Sequence, residues 1–394
     1  MSVLAQHGFR KGHKLQAGLA EEAIVGVVFS PRDETPADLI ELISHIRHDF
    51  ADSVLLIDPQ LYASTVQEAR DRHLPEYPFY SGDLRRAAFT TRFIEKTVRT
   101  CLDFQERLPL SYFVSPSVAF ATPEDGWSQI ALQFAEESME QHARLKTKRP
   151  LLVSLVMDES ALVNRNGLDD LLDSLTTLEP TGFYLCLVRN AGTQYGPAMS
   201  PDRLANFLYV GYSLATANEY EVIAGYADWV GLLLHSVGVN HCTTGWGLGL
   251  RQLQWSRFEQ GGFGRQPKER YSSVPLLNSV FVEELEACWR VKRVELVLSG
   301  LAQDKPFKLS NPLNVSWPQE ISTIQHWEAL SAASRAISAR DPDKRIDYVR
   351  GRIHEARTRY SELMSQGVQF SQSTGPGHLQ QWLGAIEAFV QATF

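Results

Sequence analysis

Short β-rich apolar runs alternate along the chain with longer segments of helical periodicity, the pattern of βα units around a parallel sheet. The first unit reads as a strand over Ala23–Ser30 (AIVGVVFS) and a helix over Pro36–Asp49. Thr35 suits the N-cap, Pro36 the first helical position, and Asp38 the first turn, where free amides and the helix dipole favour a carboxylate. The same start signal recurs at Thr122-Pro123-Glu124-Asp125 after the run Leu110–Val114, and at Ser200-Pro201-Asp202 after Gly182–Arg189. Ser53–Ile57, Leu151–Met157, Glu221–Gly225 and Val239–Thr243 complete seven strands, and Tyr271–Leu277 is the stretch from which an eighth can be drawn. No GxGxxG turn follows the first strand to favour a doubly wound dinucleotide fold. The pattern predicts an α/β fold, a (β/α)8 TIM barrel over residues 1–277. After Leu277 the alternation stops. Val282–Leu298, Ile321–Ala339, Asp343–Gln366 and His378–Ala392 read as helices, with an irregular proline-bearing connector over Asp304–Pro318. Residues 278–394 are therefore expected to form a helical extension.

Composition narrows the class. With 44% hydrophobic and 21% charged residues in a chain of 394, this is a globular protein, and no apolar run is long enough to span a membrane. His7, Arg10, Lys11, His13 and Lys14 have no apolar run behind them, so a cytoplasmic location is expected. Cys101, Cys186, Cys242 and Cys288 are too scattered for a disulfide framework or a Cys-x-x-Cys knuckle, and buried free thiols are expected. The residue pattern calls for no metal and no cofactor. A net charge of −8 argues against a nucleic-acid-coating protein. The one basic stretch, from Arg335 to Arg359, is interspersed with Asp341, Asp343, Asp347 and Glu355 and reads as a solvated, salt-bridged face.

In a (β/α) barrel the chemistry stands at the C-terminal ends of the strands, where the loops converge. That rule selects Ser30, Arg32, Asp33, Asp58, Gln60, Ser115, Ser117, Asp158, Glu159, Arg189, Asn190, Tyr226, Asp228, Thr243, Thr244, Trp246 and Arg251. Asp158 and Glu159 are adjacent carboxylates at the end of an apolar strand, and such groups must be solvated, paired or used. They are the candidates for catalysis, with a loop start or a helix cap as the plain alternative. Asp58 is followed by Pro59, and there an ordinary Asp-Pro turn is the preferred reading. The stretch Gly238–Arg251 (GVNHCTTGWGLGLR) combines glycines, a tryptophan able to stack on a planar ring and an arginine able to hold an anion. Its alternative is a tight loop packed under Trp246. His241 and Cys242 alternate along a strand and should face opposite sides, which argues against a nucleophile pair.

The order of these motifs resembles the tRNA-guanine transglycosylases, which exchange guanine for a 7-deazaguanine on a TIM barrel with a zinc-bearing insertion. Leu155-Val156-Met157-Asp158-Glu159-Ser160 is similar to the family's Asp-Glu-Cys motif, whose Asp reads the purine edge. LLIDPQLYAS, YFVSPSVAF, LVRN, IAGY and GVNHCTTGWGLGLR follow in family order. Aligned in this way, the family's nucleophilic Asp falls at Thr243 and its other catalytic Asp at Ser115, and of the zinc ligands only Cys288 and His326 remain. One thiol and one imidazole do not hold structural zinc.

The resemblance implies a purine or 7-deazapurine ligand held by Ser115, Asp158, Arg189, Tyr226, Thr243, Trp246 and Arg251. Without carboxylates at Ser115 and Thr243 it implies altered base-exchange chemistry, or a partner subunit in a homodimer or heterodimer. A tRNA, DNA or protein partner and a deazaguanine-related anti-phage role belong to the same expectation. The main rival is an unrelated TIM-barrel enzyme that uses Asp158 or Glu159 as a general base on a small substrate, with Arg189 and Arg251 holding its anion. A third reading is an interaction scaffold whose helical tail docks a partner.

Overall fold

The computed structural model describes residues 1–189, 196–259 and 268–394. Eight parallel strands curl into a nearly closed barrel: β1 (Ser2–Gln6), β2 (Gly26–Phe29), β3 (Val54–Ile57), β4 (Phe113–Val114), β5 (Leu151–Asp158), β6 (Gly182–Arg189), β7 (Glu221–Gly225) and β8 (His241–Thr244). The hydrogen-bonded order is β3-β2-β1-β8-β7-β6-β5-β4. The seam between β3 and β4 is bridged by Ser111, whose backbone N donates to Leu55 O at 2.7 Å and whose Oγ accepts from Leu55 N at 3.0 Å. β6 is buried throughout and β5 up to its last residue, because helices cover one face and the barrel interior the other. Strands buried on both faces read as continuous apolar runs, which is why LLVSLVM and GFYLCLV stand out in the sequence. Gly182 opens β6 at a close approach. A Cβ there would lie 2.0 Å from Glu221 O.

The eighth strand is not Tyr271–Leu277. It is Ser2–Gln6, which pairs with Gly26–Phe29 on one side and His241–Thr244 on the other. Tyr271–Ser273 instead belongs to an antiparallel hairpin outside the barrel, β9 (Arg270–Ser273) with β10 (Asn278–Phe281), whose turn holds Pro275 where no ladder donor is needed.

Helices α1 (Lys14–Ala20), α2 (Pro36–Asp49), α3 (Thr91–Glu106), α4 (Gly126–Leu145), α5 (Arg165–Thr176), α6 (Pro201–Tyr212) and α7 (Gly231–Ser236) follow β1 to β7 in turn. Thr35 caps α2 by accepting from Asp38 N at 3.2 Å. α4 is capped by Asp125, which takes the amides of Trp127 and Ser128 at 2.8 Å each, so the Thr122-Pro123 pair lies just outside the helix. After β8 come the short α8 (Leu248–Arg251) and a two-residue strand, Leu253–Gln254, which pairs in parallel with the end of β6.

Beyond the hairpin lie α9 (Val282–Arg290), α10 (Lys305–Leu309), α11 (Gln319–Ser338), α12 (Arg345–Ser365) and α13 (Gly377–Thr393). α9 stops short of the expected Leu298 because Lys292 turns into the left-handed region (φ 55°) and Arg293 N bonds back to Cys288 O at 2.9 Å. α11 packs against β1, α1 and α7, where the helix following β8 would stand in a (β/α) barrel. Trp327, fully buried, fastens it there by donating to Thr244 O at 3.0 Å, and Ser331 Oγ donates to Ala23 O at 2.6 Å. α13 lies along α6, and α12 packs on α7 and α13. No helix among the described residues is long and apolar enough to cross a membrane.

Candidate functional site

At the centre of the C-terminal face the barrel is filled by its own side chains. Asp58, at the end of β3, is fully buried, and its carboxylate takes the Tyr62 hydroxyl at 2.8 Å and the Gln60 amide at 3.1 Å. The hydroxyls of Tyr184 and Tyr226 lie 3.4 Å away. Burial outweighs these hydrogen bonds and pushes the Asp58 pKa up to about 6. Above it, Arg257 donates to Asp33 at 2.7 Å and to Gly249 O at 2.9 Å, while Phe258 packs edge-on against Tyr62. Burial acts to raise the pKa of Asp33, but Arg257, Arg32, His7 and Arg72 outweigh it and hold that carboxyl below its ordinary value. The strand Leu253–Gln254 thus carries Arg257 and Phe258 across the barrel mouth.

Open space lies to one side, outside β6 and β7. Tyr184 points to the axis, so the two-residue period of β6 sends Leu187 and Arg189 to the outer face. There a cleft of about 640 Å³, counting its opening, has Leu187, Met199, Phe207, Trp229 and Val230 as apolar walls. It also presents Arg189, Tyr226, Asp228, Arg251, Gln252, Arg270 and Asn278.

Asp228 is the carboxylate of this cleft, its side chain 19% exposed. His326, fully buried on α11, lies with Nε2 3.1 Å from Asp228 Oδ1, and Thr244 Oγ1 donates to the same oxygen at 3.3 Å. Burial, with Arg251 nearby, lowers the His326 pKa to about 4, so the ring is neutral at pH 7. The carboxylate then fixes the tautomer with the proton on Nε2, and Nδ1 accepts from Ser272 Oγ at 2.7 Å. Ser279 Oγ lies 3.0 Å from Ser272 Oγ and itself accepts from Trp229 Nε1 at 3.1 Å. A single file of donors, from Trp229 through Ser279, Ser272 and His326, therefore ends on Asp228. Burial acts to raise the Asp228 pKa, but the His326 hydrogen bond and Arg251 outweigh it and keep the carboxyl below its ordinary value.

The turn that presents this carboxylate is strained. Tyr226 and Asp228 both have positive φ, 55° and 44°, and neither is glycine. The turn is held by β8, because Tyr226 N donates to Thr243 Oγ1 at 2.8 Å and Ala227 N to Thr243 O at 2.9 Å. Arg251, on α8, is 8% exposed, and among the described residues its one hydrogen bond runs from Nε to Gly245 O at 3.0 Å. Burial lowers its pKa against the opposing pull of Asp228 and Glu269. Arg270, from β9, lies 4.4 Å over the ring of Phe281 and donates to Ser373 Oγ at 3.1 Å.

Of the residues singled out in the sequence, Arg189, Tyr226, Arg251 and Asp228 meet in the cleft. Arg189 is paired there with Glu159 at 2.9 Å, and Glu159 also pairs with Arg203 at 3.3 Å. Asp158 caps the turn after β5, accepting from Ser160 N at 2.9 Å and Ser160 Oγ at 2.6 Å, and does not line the cleft. Ser115 Oγ accepts from Ser154 N at 2.8 Å, and Thr243 Oγ1 donates to Gln6 at 2.7 Å, so both tie strands together inside the barrel. Trp246 packs edge-on against His7 and Trp327 and donates to Phe9 O at 2.9 Å. Asn190 lies outside the described residues. Cys242 packs against Gly231 on α7 while Thr243 reaches the axis, the alternation expected along that strand. Sequence reasoning missed Arg270, which opens the hairpin rather than a barrel strand, and saw His326 only as a remnant zinc ligand. Among the described residues no group of three or more His, Cys, Asp or Glu side chains converges as metal ligands would.

No family model matches the chain, and no curated protein matches it.

Proposed function

We propose that this barrel binds a small anionic ligand with an apolar or aromatic body in the lateral cleft. Arg251 and Arg270 hold the anion, and Asp228 accepts a hydrogen bond from a ligand N–H or O–H. The observation that carries this reading is one ionised carboxylate, Asp228, facing the same space as Arg251 and Arg270, with the third arginine, Arg189, held by Glu159, over a floor of Leu187, Met199 and Phe207. A guanidinium in a site shielded from water favours carboxylate and phosphate oxygens, and the apolar walls favour a ligand that brings apolar surface with it.

A second reading keeps the purine of the family resemblance but moves its recognition. Asp158 is spent on its own turn, whereas Asp228 stands beside Trp229 and Phe207, where a flat base would lie with its N1–H and exocyclic amine toward the carboxylate. Calorimetry with phenyl phosphate and phenylacetate on one side, and guanine and preQ1 on the other, separates the two. Anion binding that falls at least tenfold in Arg251→Met supports the first. Guanine binding that is lost in Asp228→Asn and kept in Arg251→Met supports the second. Absence of saturable binding by all four compounds overturns both.

A further inference from the structure

We infer a second ligand site, for an amphipathic carboxylate with an acyl-like body, in the apolar cavity between α7, α11, α12 and the hairpin turn. This cavity has a volume of about 560 Å³, counting its opening, and shares no lining residue with the cleft, so the inference is independent of the function proposed above.

The space is a consequence of side-chain size. α11 contributes Ala332, Ala333 and Ala336, which stop at Cβ, while Leu232, Val274, Leu277, Ile337, Val349 and Trp382 supply larger apolar walls. Two of the polar groups along the walls are already used within the protein: Trp382 Nε1 donates to Pro197 O at 3.0 Å, and Ser299 Oγ to Ser272 O at 2.8 Å. The apolar walls therefore offer a ligand dispersion contacts and escape from water. One guanidinium stands in the lining and two lie close to it. Arg352 lines the cavity with its side chain 27% exposed and shares Glu355 with Arg359, and Arg340 sits 4.7 Å over the ring of Tyr348, another lining residue. An apolar volume with guanidinium groups at its edge fits an apolar chain that ends in a carboxylate.

Calorimetric titration of the full chain with octanoate, decanoate and dodecanoate tests the site. Affinity should rise about fourfold per added methylene until the cavity is full. Ala336→Phe occupies the volume and should abolish decanoate binding, with circular dichroism to verify folding and Ala332→Phe as the replacement should the first variant not fold. Arg352→Gln should weaken decanoate by roughly two- to fivefold and leave decanol unchanged. Arg251→Met should leave decanoate binding intact, which keeps this result separate from that of the cleft. The site is overturned if folded wild type shows no saturable decanoate binding, or if a folded Ala336→Phe or Ala332→Phe variant binds it as wild type does.

Discussion

At the scale of single residues, the cost of burying Asp58 varies with pH. Its folded pKa of about 6 lies above the ordinary value of 3.8. The contribution of this group is fully present below the unfolded pKa and is lost as pH rises through about 6. A shift of that size corresponds to about 3 kcal/mol. Asp58→Asn should therefore gain stability relative to wild type by up to about 3 kcal/mol between about pH 4 and pH 7, read from urea midpoints at both values. Asparagine sacrifices an acceptor for Tyr62 or Tyr226, but that loss does not vary with pH, so a difference that stays constant across the range would show that Asp58 does not titrate there. The importance of this carboxyl was hidden in the sequence, because LLIDPQ reads as a strand running into an Asp-Pro turn. What makes it unusual is the approach of Tyr184 and Tyr226 from other strands, and no local pattern reports that. Asp158 shows the converse: a carboxylate at a strand end draws attention as chemistry, and the structure gives it a local partner in the amide of Ser160.

Among the elements, the alternation of strand and helix was legible wherever a strand is buried on both faces, as in β5 and β6. Two failures have physical causes. β1 reads SVLAQ, ends in Gln6 with His7 directly after it, and precedes a basic segment, so its apolar run is too short to register even though both its edges are paired. β9 reads like a barrel strand because hairpin and barrel strands share the same two-residue period. Deleting residues 2–6 would leave β2 and β8 as facing unpaired edges. That variant is expected to lose cooperative unfolding and to aggregate in gel filtration, and a monomer with the wild-type midpoint would contradict a barrel in which β1 joins β2 to β8. α11 matters similarly for the outer ring. Trp327→Ala removes a fully buried indole and its bond to Thr244 O, and should cost about 3 to 5 kcal/mol in chemical denaturation. A cost below about 1 kcal/mol would mean that α11 is not part of the barrel's cooperative core.

For the molecule as a whole, three buried imidazoles set the acid limit. Burial lowers the pKa of His326 and of His378 to about 4 and of His235 to about 3, from an ordinary value of 6.5. Their stability contribution is complete above the unfolded pKa and is lost as pH falls toward the folded values, because the unfolded chain takes up protons that the folded chain refuses. The shifts of His326 and His378 correspond to about 3 kcal/mol each and that of His235 to about 5 kcal/mol, so urea midpoints should drop steeply between about pH 6.5 and pH 4, opposing and exceeding the single contribution of Asp58. His378→Gln should flatten that fall, and an unchanged slope would count against a neutral buried His378. The barrel class was readable from the whole chain, but the lateral position of its cleft was not, since it depends on Arg257 and Phe258 filling the mouth. That position is most directly tested by titrating phenyl phosphate into wild type, Arg251→Met and Asp158→Asn in parallel. Binding that falls at least tenfold in Arg251→Met and is unchanged in Asp158→Asn is the expected result, and binding that depends on Asp158 while ignoring Arg251 would contradict it.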